Sequence, residues 1–565
     1  MSHTSPTRSP AGRVLSLLPT RSDVAEMRRS PRRDFLAGLT VAIVALPLAL
    51  GFGVSSGLGA EAGLATAVVA GALAAVFGGS NLQVSGPTGA MTVVLVPIAA
   101  RYGPGGVMTV GLVAGVLLML LAMARAGKYM RYVPAPVIEG FTLGIAGVIG
   151  LQQVPGALGV ETPEGEQILV VTWRAVEEFA RSPNGTAVGL AVGVAVVMLV
   201  GARWRPTVPF SIVAVIAATV VAQVFHLDAA PPIGDLPAGL PAPSLGFLDL
   251  GALGTLLPSA VAVAALAALE SLLSASVADG MTVGQKHDPD RELFGQGLAN
   301  VAVPLFGGVP ATGAIARTAV NVRAGASSRL AALTHAAVLA AIVFAAAPLV
   351  SRIPLAALAG VLLATAIRMV EIGSVRAMAR ATRSDAIVLA LTAAATLALD
   401  LVAAVIIGLV VAGVLALRAV ATEARLDEVP LDRGDHSAEE HALLAEHIVA
   451  YRIDGPLFFA AAHRFLLELS EVADVRVIIL RMSRVTTMDA TGALVLKDAM
   501  DKLERRGITV LLSGIRPGQH QVLESVGALD ALPDQRRAYP TTHQAIRAAR
   551  DHLTHTGLLP TNPAT

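Results

Sequence analysis

Two short stretches of the chain repeat an order of residues that could build an ion site. Phe77-Gly78-Gly79 is followed by Pro87-Thr88-Gly89-Ala90, and Phe306-Gly307-Gly308 by Ala311-Thr312-Gly313-Ala314. Each follows apolar runs and opens another, 88–100 and 312–320, too short to cross a bilayer alone. A Gly/Ala-rich chain can produce such a match by chance. Gly/Pro-interrupted hydrophobic segments in corresponding places of two halves also point to broken helices at a transporter's centre. A half-helix that starts at mid-membrane leaves its first N–H groups unpaired, with the positive end of its dipole beside them. Two such ends facing each other form an anion site that needs no cationic side chain. Thr88 and Thr312 stand where an N-cap hydroxyl belongs, and Gly89 and Gly313 let an anion approach the backbone. Residues 82–85 read as a short extended lead-in, tolerated at that depth only where it is buried or lines a cavity.

Charges inside the apolar region add to this chemistry. Arg317 is the fifth residue after Thr312. An intramembrane Arg costs at least about 2.5 kcal/mol on insertion scales, so function is its default reading; the competing one is an Arg snorkelling to an interface. Glu270 sits within the run Val261–Val277, with Ser274 one turn later on the same face. A carboxyl there could exchange protons with the cavity; the competing reading is a structural Glu paired with Arg317 or a backbone N–H. Glu139, near the start of a span, reads as structural, and Asp400 as a helix boundary. No metal cluster or nucleophile–base pair stands out, so neither an enzyme nor a metal or cofactor is expected.

The surrounding elements must be membrane helices. The chain has 565 residues, 54% hydrophobic and only 15% charged, where a soluble domain carries about 25% charge. A net charge of +1 makes no case for nucleic acid. Fifty-four glycines and 4% aromatics suit close helix packing in lipid, and the absence of cysteine excludes disulfides and thiolate sites. Met1 to Asp34 is polar and Arg-rich directly before the first apolar run, Phe35–Phe52, which predicts a cytoplasmic N-terminus rather than a cleaved signal. Further candidate spans are 60–77, 107–124, 135–152, 186–202, 208–226, 253–278, 328–349, 354–370, 385–399 and 400–420. After Ala421 the character changes. Ile448–Ile453, Val475–Leu480 and Ile508–Ser513 read as strands, and Ala461–Val472 and Ala493–Arg506 as helices, which predicts a soluble α/β module. The expected organisation is a basic segment 1–34, a membrane domain 35–420, a linker 421–440, a soluble domain 441–555 and a tail 556–565.

From about Asp34 to residue 550 the chain resembles the SulP family, also called solute carrier family 26: anion transporters with a cytoplasmic STAS domain. The stretches that carry the resemblance are Leu46-Pro47-Leu48-Ala49-Leu50-Gly51-Phe52 and Val84-Ser85-Gly86-Pro87-Thr88-Gly89-Ala90. Two more are Glu270 through Asp279-Gly280-Met281-Thr282 into Arg291–Asn300, and Gly313 through Asn321. The resemblance implies a polytopic α-helical protein of the cell membrane, with fourteen transmembrane segments in two inverted repeats of seven. It implies core and gate domains, half-helices as segments three and ten, an elevator-like motion and a homodimer. It places Leu48, Phe52, Thr88, Gly89, Ala314, Ile315, Ala316 and Arg317 at the substrate site, with Glu270 and Ser274 beside them for proton coupling. Sodium-coupled bicarbonate members carry Asp, Thr and Gly where this chain has Glu270, Ile315 and Arg317, so coupling to protons or anion exchange is expected instead. Leu48 replaces a Gln found in many members, which leaves sulfate, bicarbonate and C4-dicarboxylates open as substrates. An uncoupled channel, a sodium symporter and a membrane-anchored signalling module are the rival readings.

The soluble module resembles a STAS domain through Met488-Asp489-Ala490-Thr491-Gly492 between a strand and a helix. In related anti-sigma-factor antagonists a phosphorylated Ser occupies the place of Thr491, which implies a regulatory site and a cytoplasmic regulatory partner. The competing reading is that Asp489 and Thr491 merely cap the helix.

Overall fold

The structure, a computed structural model, describes residues 17–163, 165, 167–205, 208–237, 239–399, 401–423, 425–429, 446–459, 475–529 and 538–558. Asp400, the expected helix Ala461–Val472, and most of the expected linker and tail lie outside them. The chain divides into two compact units, the first ending at Val410 and the second starting at Val411.

The first unit is helical. Short α1 (Arg21–Met27) precedes α2 (Pro31–Ser55) and α3 (Ala60–Phe77). A two-residue strand, β1 (Ser85–Gly86), leads into α4 (Gly89–Met123), and α5 (Ala135–Gln152), α6 (Gly185–Trp204) and α7 (Phe210–Val224) follow. The same order then returns: α8 (Leu253–Met281), α9 (Pro289–Ala302), the short β2 (Thr312–Gly313), α10 (Ile315–Arg323), α11 (Leu330–Val350), α12 (Leu355–Met369), α13 (Arg383–Ala398) and α14 (Leu401–Glu423). Among the described residues nine helices are long and apolar enough to cross a membrane. α4 is two helices in one: Gly103 takes φ 66° and ψ −173°, and Pro104 follows it, so a short first helix ends there. Small residues bring helices into backbone contact. A Cβ on Gly115 of α4 would lie 2.6 Å from Val301 N of α9, a distance no side chain tolerates.

β1 and β2 pair antiparallel, Ser85 opposite Gly313 and Gly86 opposite Thr312. This ladder joins the two repeated stretches directly. It continues outward, because Ala314 N donates to Val84 O at 2.9 Å.

The second unit carries a five-stranded sheet in the order β3 (Arg425–Val429), β4 (Ile448–Leu457), β5 (Val477–Met488), β6 (Thr509–Ser513), β7 (Ala538–Tyr539). β3 is antiparallel to β4 and the other pairs are parallel. Side chains alternate across β5: Ile478 and Leu480 join the core formed with α15 (Ala490–Arg505), while Val477 and Ile479 pack with α17 (Thr542–His555). α16 (Pro517–Ser525) lies between β6 and β7 in the chain. β4 runs four residues beyond the expected strand, through register shifts between Arg452 and Asp454 and between Gly455 and Leu457. Residues 421–440, expected as linker, hold the end of α14 and strand β3 where they are described.

Candidate functional site

The first half-helix starts as expected. Thr88 has extended backbone (φ −129°, ψ 159°), and its Oγ1 accepts from Met91 N at 3.4 Å, a long cap. The same hydroxyl donates to Glu270 Oε2 at 2.9 Å, which ties α8 to the start of α4. Beside it, a Cβ on Gly89 would collide with Ile149 and lie 3.1 Å from Phe52 Cε1. Phe52 therefore walls the approach to this helix start, and Leu48, one turn earlier on α2, is buried in the adjoining apolar cluster.

The second half-helix differs from expectation. Its N-cap is Ala314, with no side-chain cap, and Thr312 is not a cap at all. Pairing with β1 keeps Thr312 extended two residues before the helix, and its hydroxyl meets Ser271 Oγ at 2.8 Å. Ser271 Oγ also accepts from Gly313 N at 3.0 Å. With no side-chain cap, the first N–H groups of α10 are left for another acceptor. Ala314 is buried, Ile315 half-buried and Ala316 exposed.

Arg317, in the first turn of α10, is 2% exposed and does not snorkel. Its Nη2 donates to the Pro87 carbonyl at 2.6 Å, just before the first half-helix, and its Nη1 has no hydrogen-bond partner among the described residues. Glu270 is half-buried and takes its bond from Thr88, not from Arg317 or a backbone N–H. Ser274 does not join Glu270. Fully buried, it donates to Thr318 Oγ1 at 2.9 Å, and Thr318 Oγ1 also accepts from Val84 N at 3.1 Å. Ser274 thus ties α8 to α10 and, through Thr318, to the residue before β1. Glu139 accepts from Ser374 Oγ at 2.7 Å, a structural contact.

A polar frame that sequence reasoning did not assign holds both crossings. Glu292 Oε2 accepts from Gly79 N at 2.8 Å and Ser80 N at 3.1 Å; its Oε1 accepts from Gln83 Nε2 and Gln296 Nε2, both at 2.9 Å. Gln296 Nε2 also reaches Ser85 Oγ at 2.6 Å. Asn300 brackets Ala311, donating to its carbonyl and accepting from its N–H, both at 2.8 Å. The spacing Glu292, Gln296, Asn300 puts all three on one face of α9, the signal from which they could be found.

At the start of the unit, residues 21–27 of the expected basic segment form α1, whose Asp23 is buried. Its carboxylate pairs with Arg291 at 2.8 Å and Arg329 at 3.4 Å. Burial pushes Asp23 up, but the Arg291 hydrogen bond, the Thr20 N–H and the two guanidinium charges outweigh it and hold the group at about 2. Asp34 is also buried and accepts from the N–H and hydroxyl of both Ser327 and Ser328.

In the second unit Asp489 is the N-cap of α15. Its Oδ1 accepts from Gly492 N at 2.7 Å and its Oδ2 from Phe459 N at 3.2 Å. Thr491 lies in the first turn and is exposed.

The sulfate permease family model matches residues 32–392, and the STAS domain model matches residues 442–545. The chain is 37% identical to a putative sulfate transporter, YvdB, of Bacillus subtilis over 89% of this chain and 95% of that one. It is 30% identical to the bicarbonate transporter BicA of Synechocystis sp. over 92% and 94%. Among solved structures it is similar to the transmembrane domain of a cyanobacterial bicarbonate transporter BicA, with a TM-score of 0.60 at 31% identity over 68% of this chain and 97% of that one. It shares its fold with the murine solute carrier 26 family member A9 anion transporter in the inward-facing state, with a TM-score of 0.82 at 17% identity over 98% and 96%. With the family model spanning most of the membrane helices and the head-to-head half-helices in place, the chain belongs to the sulfate permease family and carries a C-terminal STAS domain.

Proposed function

We propose that the chain is a secondary active anion transporter that binds a small anion between the starts of α4 and α10. The observation that carries this reading is Arg317: a buried guanidinium with one arm fixed to Pro87 and Nη1 unpaired, beside two helix starts. A buried donor left without an acceptor is costly, and an anion at this point supplies one. Phe52, Thr88, Gly89 and Ala314–Arg317 form the binding surface, with Leu48 behind them. Relatives named as sulfate and bicarbonate transporters support an inorganic oxyanion as substrate, and a C4-dicarboxylate is the third candidate.

Coupling is to protons through Glu270. An ionised carboxylate next to the site repels an incoming anion, and protonation removes that repulsion. Ile315 offers no hydroxyl to sodium and Arg317 repels it, which supports protons over sodium. The protein works as a homodimer in the cell membrane by an elevator-like motion, with its N-terminus and STAS domain cytoplasmic. The STAS domain regulates rate through Thr491 and a partner protein. The test is anion flux into liposomes under an imposed pH gradient, with sulfate, bicarbonate and succinate. Wild type accumulates one of them as external pH falls, and Glu270→Gln binds but no longer accumulates it. Accumulation by Glu270→Gln, driven by pH, refutes the coupling role; flux that never exceeds equilibrium in wild type marks a channel.

A further inference from the structure

We infer that His335 is a second proton site, linked to anion occupancy through Arg317. The inference rests on the anion site proposed above and adds a group to it. His335 lies in the first half of α11, fully buried, and neither ring nitrogen has a hydrogen-bond partner among the described residues. Leaving a buried polar group unpaired costs about 1–3 kcal/mol, so packing alone does not explain an imidazole here. Its helix neighbours Ala332, Ala336 and Leu339 are apolar.

Two glycines fix where the ring lies. A Cβ on Gly71 would lie 3.8 Å from His335 Cδ2 and 3.6 Å from the Ser85 carbonyl oxygen. A Cβ on Gly86 would lie 2.6 Å from Arg317 Nη1 and 3.4 Å from Ala67 Cα. Ala67 and Gly71 are four residues apart in α3, so they share one face, a single turn apart. The imidazole and the guanidinium therefore lie about one turn apart along the same face of α3, both against β1. Of the elements packed around them, α2 from Phe35 to Ser55 and α3 from Ala62 to Phe77 carry no titratable side chain. α11 carries only His335, α10 brings Arg317 with Arg323 at its far end, α8 brings Glu270 on the other side of Thr88 with Asp279 at its far end, and α9 brings Glu292, joined to β1 through Gln296.

The link is electrostatic. A proton on His335 faces a neighbouring cation in a water-poor interior. An anion held by Arg317 cancels that repulsion, so anion binding draws a proton onto the imidazole, and the protonated imidazole tightens anion binding by the same factor. Glu270 and His335 then flank Arg317, and each can bring one proton in with the anion.

The test uses purified full-length protein and sulfate, titrated calorimetrically at pH values stepped down from the ordinary imidazole value of about 6.5 to about 4.5, in buffers of different ionisation enthalpy. This counts protons taken up per sulfate bound. In Glu270→Gln a fraction of a proton per sulfate should remain, and adding His335→Leu should abolish it. His335→Leu should unfold at the wild-type temperature or above, because it removes two unpaired polar atoms; His335→Gln is the second variant. Loss of all proton uptake in Glu270→Gln, with sulfate still bound, overturns the proposal. So does an unchanged proton count in both His335 variants, or failure of both to fold, which marks a structural ring. If sulfate, bicarbonate and succinate all fail to bind wild type, the anion site itself is wrong and the link falls with it.

Discussion

Replacing Arg317 separates the bond its guanidinium makes to Pro87 from the anion contact proposed for it. Nη2 is committed to the Pro87 carbonyl at 2.6 Å, and Nη1 is the unpaired donor. A hydrogen bond to a charged group is worth about 1.5–3 kcal/mol, which is about 10- to 150-fold in affinity. Arg317→Ala removes the anion's bond and its charge, so the dissociation constant should rise by about that range, with the helix starts left to hold the anion. Arg317→Lys keeps the charge but offers one compact ammonium in place of a fork, so it serves either Pro87 or the anion. Its loss should be smaller, on the order of tenfold. The assay is calorimetric titration of detergent-purified protein with sulfate, bicarbonate and succinate, beside thermal unfolding of each variant. Arg317→Ala also leaves the Pro87 carbonyl unpaired, so a modest fall in melting temperature is expected and does not by itself count. A folded Arg317→Ala protein that binds within twofold of wild type would refute the assignment.

Glu292 accepts four hydrogen bonds in a buried setting, so Glu292→Ala should abolish folded protein. Glu292→Gln should fold but melt lower, since about two donors lose an acceptor at about 1–3 kcal/mol each, less if Gln83 turns its unpaired Oε1 inward; size-exclusion profiles and melting curves check both. Asp23 is held at about 2, below its unfolded value, so its stabilisation is present above about pH 4 and lost as pH falls toward 2. Wild type should lose thermal stability across that window, while Asp23→Asn should be weaker at pH 7 and flatter below pH 4. Thr491→Glu adds charge at an exposed helix start and should change transport rate with the anion dissociation constant within twofold; a shifted constant would mean that the STAS domain reaches the site.

The half-helices were legible because glycine and proline interrupt apolar runs at matching places, and such breaks need no tertiary knowledge to see. Thr312 was not legible as a strand residue. Its neighbour in the ladder is Gly86, and a two-residue pairing between such distant segments leaves no local period. The bond from Thr88 to Glu270 leaves no trace in the sequence for the same reason, since the two lie 182 residues apart. Asp23 looked like part of a basic tail because Arg291 lies 268 residues later. In the second unit, β4, β5 and β6 show as apolar runs, whereas β7 is two residues long and β3 carries three charged residues in five.

The antiparallel pairing of Ser85–Gly86 with Thr312–Gly313 has a consequence for how a cargo can change sides. Parting the two half-helix starts would break that ladder, its extension from Ala314 to Val84, the bond from Val84 N to Thr318 and the bond from Arg317 to the Pro87 carbonyl, all between buried groups. The cradle is thus tied into one cassette. Under the proposed elevator-like motion the cassette travels whole, so an anion arriving from either face meets the same donors at the same spacing. Any difference in apparent affinity between the two faces must then come from the doorway, not from the seat.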